Sequence, residues 1–347
     1  MARRCRIGVV GCGFFAQNHL HSWKSLAGEG AELVAVCDLS EEQAKAAARS
    51  FSVPAAYTDM ADMISNEALD LVDIVTQVNT HQTLVSMALD AGIATIVQKP
   101  FGLSLAQCQE MLAQSRATGQ FLAVHENFRF QHPHVMIREI LSEGRIGDPT
   151  WGRISFRTGY DIYAGQPYLR AEERFIVTDV GVHVLDLARV FFGEVRHLSA
   201  ELQRRNPDVK GEDTATMTLR HRSGAVSVVE CTYGSRQQPD PFPVTLIEIE
   251  GTTGALRLDA DLKLSISSGG TTEVIDTDAP VLDWAERPWH VVQHSVQVTC
   301  HHILECWLAG VPASISAEDN IKTYALCDAA YRAATEGRNV RPECERP

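Results

Sequence analysis

Ile7-Gly8-Val9-Val10-Gly11-Cys12-Gly13-Phe14-Phe15-Ala16 is an apolar β-type run that leads directly into a glycine turn and then a helical pattern. Each small residue has its own task in that order. Gly11 permits the tight turn, Gly13 lets backbone approach a pyrophosphate, and Ala16 lets the helix pack close against the strand. Phe14 and Phe15 lie between them, where the first-turn N–H groups of the helix face the phosphates. The G-x-G-x-x-A pattern alone is weak, because glycines also occupy turns that bind nothing. The next strand decides. Glu32-Leu-Val-Ala-Val-Cys37 ends in Asp38, 22 residues after Ala16, where a carboxylate accepts hydrogen bonds from the adenosine ribose hydroxyls. The alternative is an ordinary strand-turn-helix with an incidental aspartate.

Downstream the alternation continues. A helix is predicted over 41–51, a strand over 71–76, and a helix opened by Asn79-Thr80-His81. A strand over 94–98 runs into Lys99-Pro100, a helix has Ser104 as its N-cap, and a strand covers 121–125. Strands alternating with helices make a parallel sheet with right-handed crossovers, so residues 1–125 form a cofactor domain. The pattern then changes. Trp151 to Tyr160 alternates as a strand, and Thr178 to Phe192 has the 3.6 period of an amphipathic helix. Successive β segments between 195 and 275 predict a mostly antiparallel sheet. Helices over 289–308 and 317–336 close the chain, and the polar tail after Arg338 is expected to be loosely held. Residues 126–347 are thus expected to form a second, α+β domain with an open sheet.

Composition narrows the function classes. The chain has 347 residues, 45% hydrophobic and 22% charged, which suits two domains with real cores. Its net charge of −13 with scattered basic residues argues against nucleic acid as a partner. No segment approaches the roughly twenty apolar residues that span a bilayer. Arg3-Arg4 precedes an apolar run that is short and contains the glycine turn, so it is taken as the first strand rather than a leader. The nine cysteines are odd in number and contain no C-x-x-C pair, which fits reduced core thiols and a cytoplasmic protein. His19-x-His21 and His301-His302 lack cysteines or carboxylates at ligand spacing, and neither G-x-S-x-G nor H-E-x-x-H occurs. Catalysis without metal is therefore expected.

Five ordered segments resemble the Gfo/Idh/MocA oxidoreductases: Gly11-Cys-Gly-Phe-Phe-Ala16, Val72-Asp-Ile-Val-Thr76 with Asn79 and His81, Lys99-Pro100, His125-Glu-Asn-Phe-Arg129, and Asp179-Val-Gly-Val-His183 with Asp186. The resemblance covers nearly the whole chain. It implies an N-terminal Rossmann domain, a C-terminal α+β domain with an open, mostly antiparallel sheet, and hydride exchange between NAD(P) and a sugar, polyol or related compound. It also implies a homodimer or homotetramer formed through that sheet. Further phrases, Gly13 to His21, Val97-Gln-Lys-Pro100 and Phe156 to Asp161, are similar to a branch of the family that oxidises the branched pentose D-apiose to its lactone.

Carried over by position, the family's lysine is Lys99 and its helix-borne acid and histidine are Asp179 and His183. The chemistry suits them. Oxidising an alcohol needs a base for the hydroxyl proton, and His183 is the candidate. Lys99, at a strand's C-terminal end, can stabilise a developing alkoxide. Asp179, four residues before His183, can bind a substrate hydroxyl or orient the imidazole. The bland alternatives are a core histidine and a solvated turn lysine. Thr76, Asn79, His81 and Gln98 are candidate cofactor contacts beside the glycine turn and Asp38, although Asn79 and His81 also fit simple helix-start roles. Asn127, Arg129 and Tyr160 are candidate substrate contacts in polar and aromatic stretches that also hold His125, Tyr163, Tyr168 and Arg170.

Two departures from the family pattern stand out: Gln98 replaces its usual glutamate, and Gln77-Val78 replaces prolines. The carboxylate of Asp38 repels a 2′-phosphate, so NAD is favoured over NADP, with Arg49 as the alternative phosphate anchor. Two other functions stay open, an NAD-dependent glycosidase with no net redox and a non-enzymatic dinucleotide-binding regulator.

Overall fold

A computed structural model describes residues 4–343; Arg3 and Cys344 lie outside them. The chain divides into two compact units. The first comprises the residues up to Asn127 together with Val296–Ile321, and the second comprises Phe128–Ser295 together with the residues from Lys322 on. The break at Asn127 falls two residues from the expected boundary, but residues 296–321 return to the first unit.

The first unit opens with β1 (Cys5–Val10), α1 (Ala16–Ser25), β2 (Ala31–Cys37), α2 (Glu41–Phe51), β3 (Ala55–Tyr57), α3 (Met60–Asn66) and β4 (Leu71–Ile74). It continues with α4 (Val78–Asp90), β5 (Ala94–Gln98), α5 (Leu105–Thr118) and β6 (Leu122–His125). The helix starts are written in the sequence. Ser40, Asp59 and Ser104 each accept a hydrogen bond from a first-turn backbone N–H of the helix that follows, which satisfies donors that would otherwise lack partners. The six strands form one parallel sheet in the order β3-β2-β1-β4-β5-β6. All residues of β4, β5 and β6 are buried, as befits strands covered on both faces. The strand order reverses between β1 and β4, and in such sheets ligands bind outside the carboxyl ends at that switch point.

The second unit begins with α6 (His132–Ser142), β7 (Pro149–Arg157), the short α7 (Ile162–Gly165), and α8 (Val182–Phe192). Then follow β8 (Val195–Gln203), β9 (Thr214–His221), β10 (Val226–Thr232), β11 (Leu246–Gly251), β12 (Gly254–Leu258), β13 (Lys263–Ser268) and β14 (Thr271–Asp276). Two long helices close the chain, α9 (His290–Ala309) and α10 (Ala317–Glu336). The eight-stranded sheet runs β14-β13-β12-β11-β7-β10-β9-β8. Only the β10·β7 pairing is parallel, so the sheet is mostly antiparallel as expected. Its inner residues, among them Ile154, Phe156, Met217, Val229 and Ile247, pack with α8 in one core.

Two features depart from the sequence reading. The 3.6 helix expected over 178–192 is a π turn (Val177–Gly181) joined to α8, and every residue of α8 except Val190 is buried, so it is a core helix rather than an amphipathic one. The tail is held at Val340, which is buried and bridges Leu198. Eight cysteines are described, none in a disulfide and only Cys306 not fully buried. No helix among the described residues is long and apolar enough to cross a membrane.

Candidate active site

In the first unit the glycine turn is fixed by what surrounds it. Gly11 has φ +94°, and a Cβ there would lie 2.4 Å from the Val75 carbonyl oxygen, so only glycine fits. A Cβ on Gly13 would meet nothing within 4 Å, leaving open space on that side of the turn. The helix that starts at Ala16 has no side-chain cap and no acid in its first turn, which suits an anion at its N-terminus. Asp38 is held at the end of β2, its Oδ2 accepting from the Cys12 N–H (2.8 Å) and its Oδ1 from the Ser40 N–H (2.8 Å). Each oxygen keeps a further lone pair for a hydroxyl donor. Arg49, the alternative phosphate anchor, sits in the last turn of α2, about 12 Å of helix rise beyond Glu41.

Thr76, Lys99 and His125 mark the ends of β4, β5 and β6. Lys99 is half-buried and joined to Pro100 by a cis peptide bond. Thr76 and Thr80 share a hydroxyl hydrogen bond (2.7 Å), and Asn79 is exposed on the first turn of α4. His81 is placed otherwise than expected. Its ring is fully buried, with Nδ1 3.1 Å from the Pro100 carbonyl and Nε2 3.2 Å from the Thr76 carbonyl, so it braces the two strand-end loops rather than facing a cofactor.

Gln98 is buried beneath this rim. Its Oε1 accepts from the Lys99 N–H (2.8 Å) and its Nε2 lies 3.0 Å from His19 Nε2. His19 Nδ1 in turn meets Asp73 Oδ2 (2.8 Å), which also accepts from Trp23 Nε1 (2.7 Å). His125 and Cys300 complete the surroundings, and one ligand atom each from His19, His125 and Cys300 lies within 4.8 Å of the others. That corrects the expectation that no cysteine converges on His19, a grouping hidden because Cys300 comes from α9, remote in sequence. Both His19 nitrogens are engaged by Asp73 and Gln98, so this donor set is committed to hydrogen bonding.

In the second unit the π turn carries Asp179, and His183 is the second residue of α8. Glu212 stabilises the start of the turn by accepting from the N–H groups of Phe175 and Val177. The thiols of Cys231 and Cys327 reach the carbonyls of Ile176 and Val177. π turns of this kind recur at functional sites. The Asp179 carboxylate accepts a 2.8 Å hydrogen bond from the Tyr233 hydroxyl. Burial, followed by the Asp179 charge, pushes the phenols of Tyr233 and Tyr168 well above their usual range, so both remain donors. Tyr233 was missed by the sequence reading; a tyrosine just past a strand end carries no pattern of its own.

His183 is 4% exposed and stacks on Phe128, with ring centroids 3.9 Å apart and planes 6° apart. Of the expected substrate contacts, Asn127 is buried, and Arg129 is occupied by a buried bidentate pair with Asp186, which also accepts from Thr323. Tyr160 remains partly exposed and stacks on Phe242, while Arg170 lies over the Tyr163 ring. The invariable result for a buried arginine is pairing of this kind, since an unpaired guanidinium in the interior is costly.

His134 supports the His183 platform, its Nδ1–H donating to the Phe128 carbonyl (2.7 Å). Burial, opposed by that bond and reinforced by the nearby His183, lowers its pKa from 6.5 to about 4. The folded state therefore takes up this proton later than the unfolded chain. Stability from this group is fully present above pH 6.5 and is lost as pH falls toward about 4, a change on the order of 3 kcal/mol. Chemical denaturation across that window should show His134→Gln, which keeps a donor but does not titrate, losing less stability than the parent; parallel slopes would contradict this.

The N-terminal part matches the family model "Oxidoreductase family, NAD-binding Rossmann fold" over residues 5–126, and residues 134–257 match the GFO/IDH/MocA C-terminal domain. The chain is 46% identical to the D-apiose dehydrogenase of Paraburkholderia graminis, over 97% of this chain and 90% of that protein. The chain belongs to the Gfo/Idh/MocA family. A second D-apiose dehydrogenase, from Rhizobium rhizogenes, is 42% identical over 96% of both chains. The crystal structure of an oxidoreductase from Agrobacterium radiobacter, in complex with NAD+, L-tartaric acid and magnesium, superposes with a TM-score of 0.95 at 41% identity, over 97% of this chain and 98% of that one.

As a Gfo/Idh/MocA member the protein is an NAD-binding oxidoreductase whose N-terminal sheet is a Rossmann fold. The first unit fits that cofactor on its own evidence: the open side of Gly13, the uncapped α1 and the tethered Asp38 are a phosphate turn and a ribose acceptor.

Proposed function

We propose that the protein is an NAD-dependent dehydrogenase that oxidises D-apiose at its anomeric carbon to the lactone. The observation that carries this reading is the near end-to-end likeness to two D-apiose dehydrogenases. The wider class, oxidation of a sugar or polyol hydroxyl, also fits the polar and aromatic residues around Asp179, including Tyr168 and Tyr233.

NAD, when bound, supplies the hydride acceptor. Gly11, Gly13, Phe14, Phe15 and Ala16 would hold the pyrophosphate and Asp38 the adenosine ribose, with Thr76, Asn79 and Gln98 nearer the nicotinamide end. A carboxylate at Asp38, with only Leu39 and Ser40 following, disfavours a 2′-phosphate and hence NADP. Asp179, held by Tyr233, binds a sugar hydroxyl. The resemblance assigns His183 the proton of the anomeric hydroxyl as the adjacent C–H bond breaks with loss of hydride, and assigns the Lys99 ammonium the stabilisation of a developing alkoxide. The balance is sugar plus NAD+ to lactone plus NADH and one proton. Thiols outside any disulfide among the described residues suit a reducing cytoplasm, and the outer face of the eight-stranded sheet, with Arg153, Thr216, Thr218 and Glu248 exposed, is the expected contact of a homodimer or homotetramer.

The test is NADH formation at 340 nm over a panel of aldoses, branched pentoses, inositols and sugar acids, with NAD and with NADP. D-apiose with NAD is expected to give the highest kcat/KM. Another sugar giving the highest value would replace the substrate, and silence across the panel despite NAD binding by calorimetry would overturn the reading.

A further inference from the structure

Gln98 is a buried amide with a polar partner on each side. Asp73 Oδ2 can only accept, so the proton of His19 faces it from Nδ1. His19 Nε2 is left as an acceptor. The Lys99 N–H can only donate, so Gln98 Oε1 faces it and the amide nitrogen faces His19. Every orientation in the chain Asp73–His19–Gln98–Lys99 is thereby dictated by its two ends. The relay crosses the sheet from β4 through α1 to the end of β5, and His19, Asp73 and Gln98 are all buried.

We infer that this relay is a positioning device: Asp73, His19 and Gln98 fix the main chain at Lys99 and so the placement of its ammonium group. The inference rests on Lys99 being the residue that meets the reacting oxygen. Gln98→Met removes both bonds. His19→Leu removes the support while leaving the Gln98–Lys99 bond formally possible. His19→Gln is the conservative variant, because its terminal amide places a donor and an acceptor at about the spacing of the two ring nitrogens.

Two readouts on the full-length protein test it. Hydrogen–deuterium exchange of the peptide spanning Lys99 measures main-chain fixation without any substrate, and NADH formation with the fastest sugar of the panel measures the consequence. Gln98→Met and His19→Leu are expected to speed exchange at that peptide and to lower kcat between about 10- and 100-fold, with KM for the sugar little changed. His19→Gln should restore both readouts toward the parent. The double variant His19→Leu with Gln98→Met should lose no more than the worse single change, because both break one chain. Unchanged exchange in Gln98→Met and His19→Leu, or multiplicative losses in the double variant, would overturn the relay. If His19→Leu does not fold, Gln98→Met against His19→Gln decides. A Lys99→Ala protein that remains active would refute the role of Lys99 itself, and the exchange result would still stand for or against the relay.

Discussion

Lys99→Ala is expected to lower kcat by about a thousandfold while leaving NAD affinity nearly intact. The expectation follows from position. Lys99 is the first residue beyond β5, at the carboxyl edge where a doubly wound sheet binds its ligand, and the glycine turn and Asp38, the proposed dinucleotide contacts, follow β1 and β2. An ammonium that meets the oxygen only as it gains charge contributes mainly to the transition state, so kcat and kcat/KM should fall together. Isothermal calorimetry with NAD and steady-state kinetics on one preparation check this. A Lys99→Ala enzyme with near-parental kcat would remove the lysine from the mechanism.

His183→Ala should be comparably severe, with a loss of about 100- to 10,000-fold in kcat. The imidazole is buried and lies flat against Phe128, so its plane is set before any substrate arrives and little reorganisation is needed at proton transfer. Partial recovery of rate on adding free imidazole is expected, because the vacated space admits a small base. His183→Asn, which keeps a polar side chain but provides no base, should remain inactive. Activity of His183→Asn within a few-fold of the parent would assign the proton to another group.

The architecture was legible because it depends on short-range signals. The run Ile7 to Ala16, the acid at the end of β2 and helix caps such as Ser104 specify turns and strand ends locally. The site was legible where one residue's type decides its conformation, as at Gly11, whose positive φ and close approach to Val75 leave no room for a side chain. It was not legible where burial and distant partners decide. Arg129 looks like an anion receptor in one dimension, yet Asp186, 57 positions on, occupies it. His81 looks like a cofactor contact, yet it braces two carbonyls. The 3.6 period of residues 178–192 concealed a π turn, since one extra residue in a turn leaves the hydrophobic pattern nearly unchanged over so short a stretch. Gln98 read as a lost carboxylate until His19 and Asp73 gave the amide a partner on each side.

The central claim is net hydride transfer from the sugar's anomeric carbon to NAD. D-apiose deuterated at that carbon, incubated with enzyme and NAD, tests it most directly. The account predicts one NADH per sugar consumed, with the deuterium recovered at C4 of its nicotinamide ring. Sugar or glycoside turnover without NADH, or NADH lacking deuterium, would contradict it and point to the transient-oxidation chemistry of an NAD-dependent glycosidase or to oxidation at another carbon.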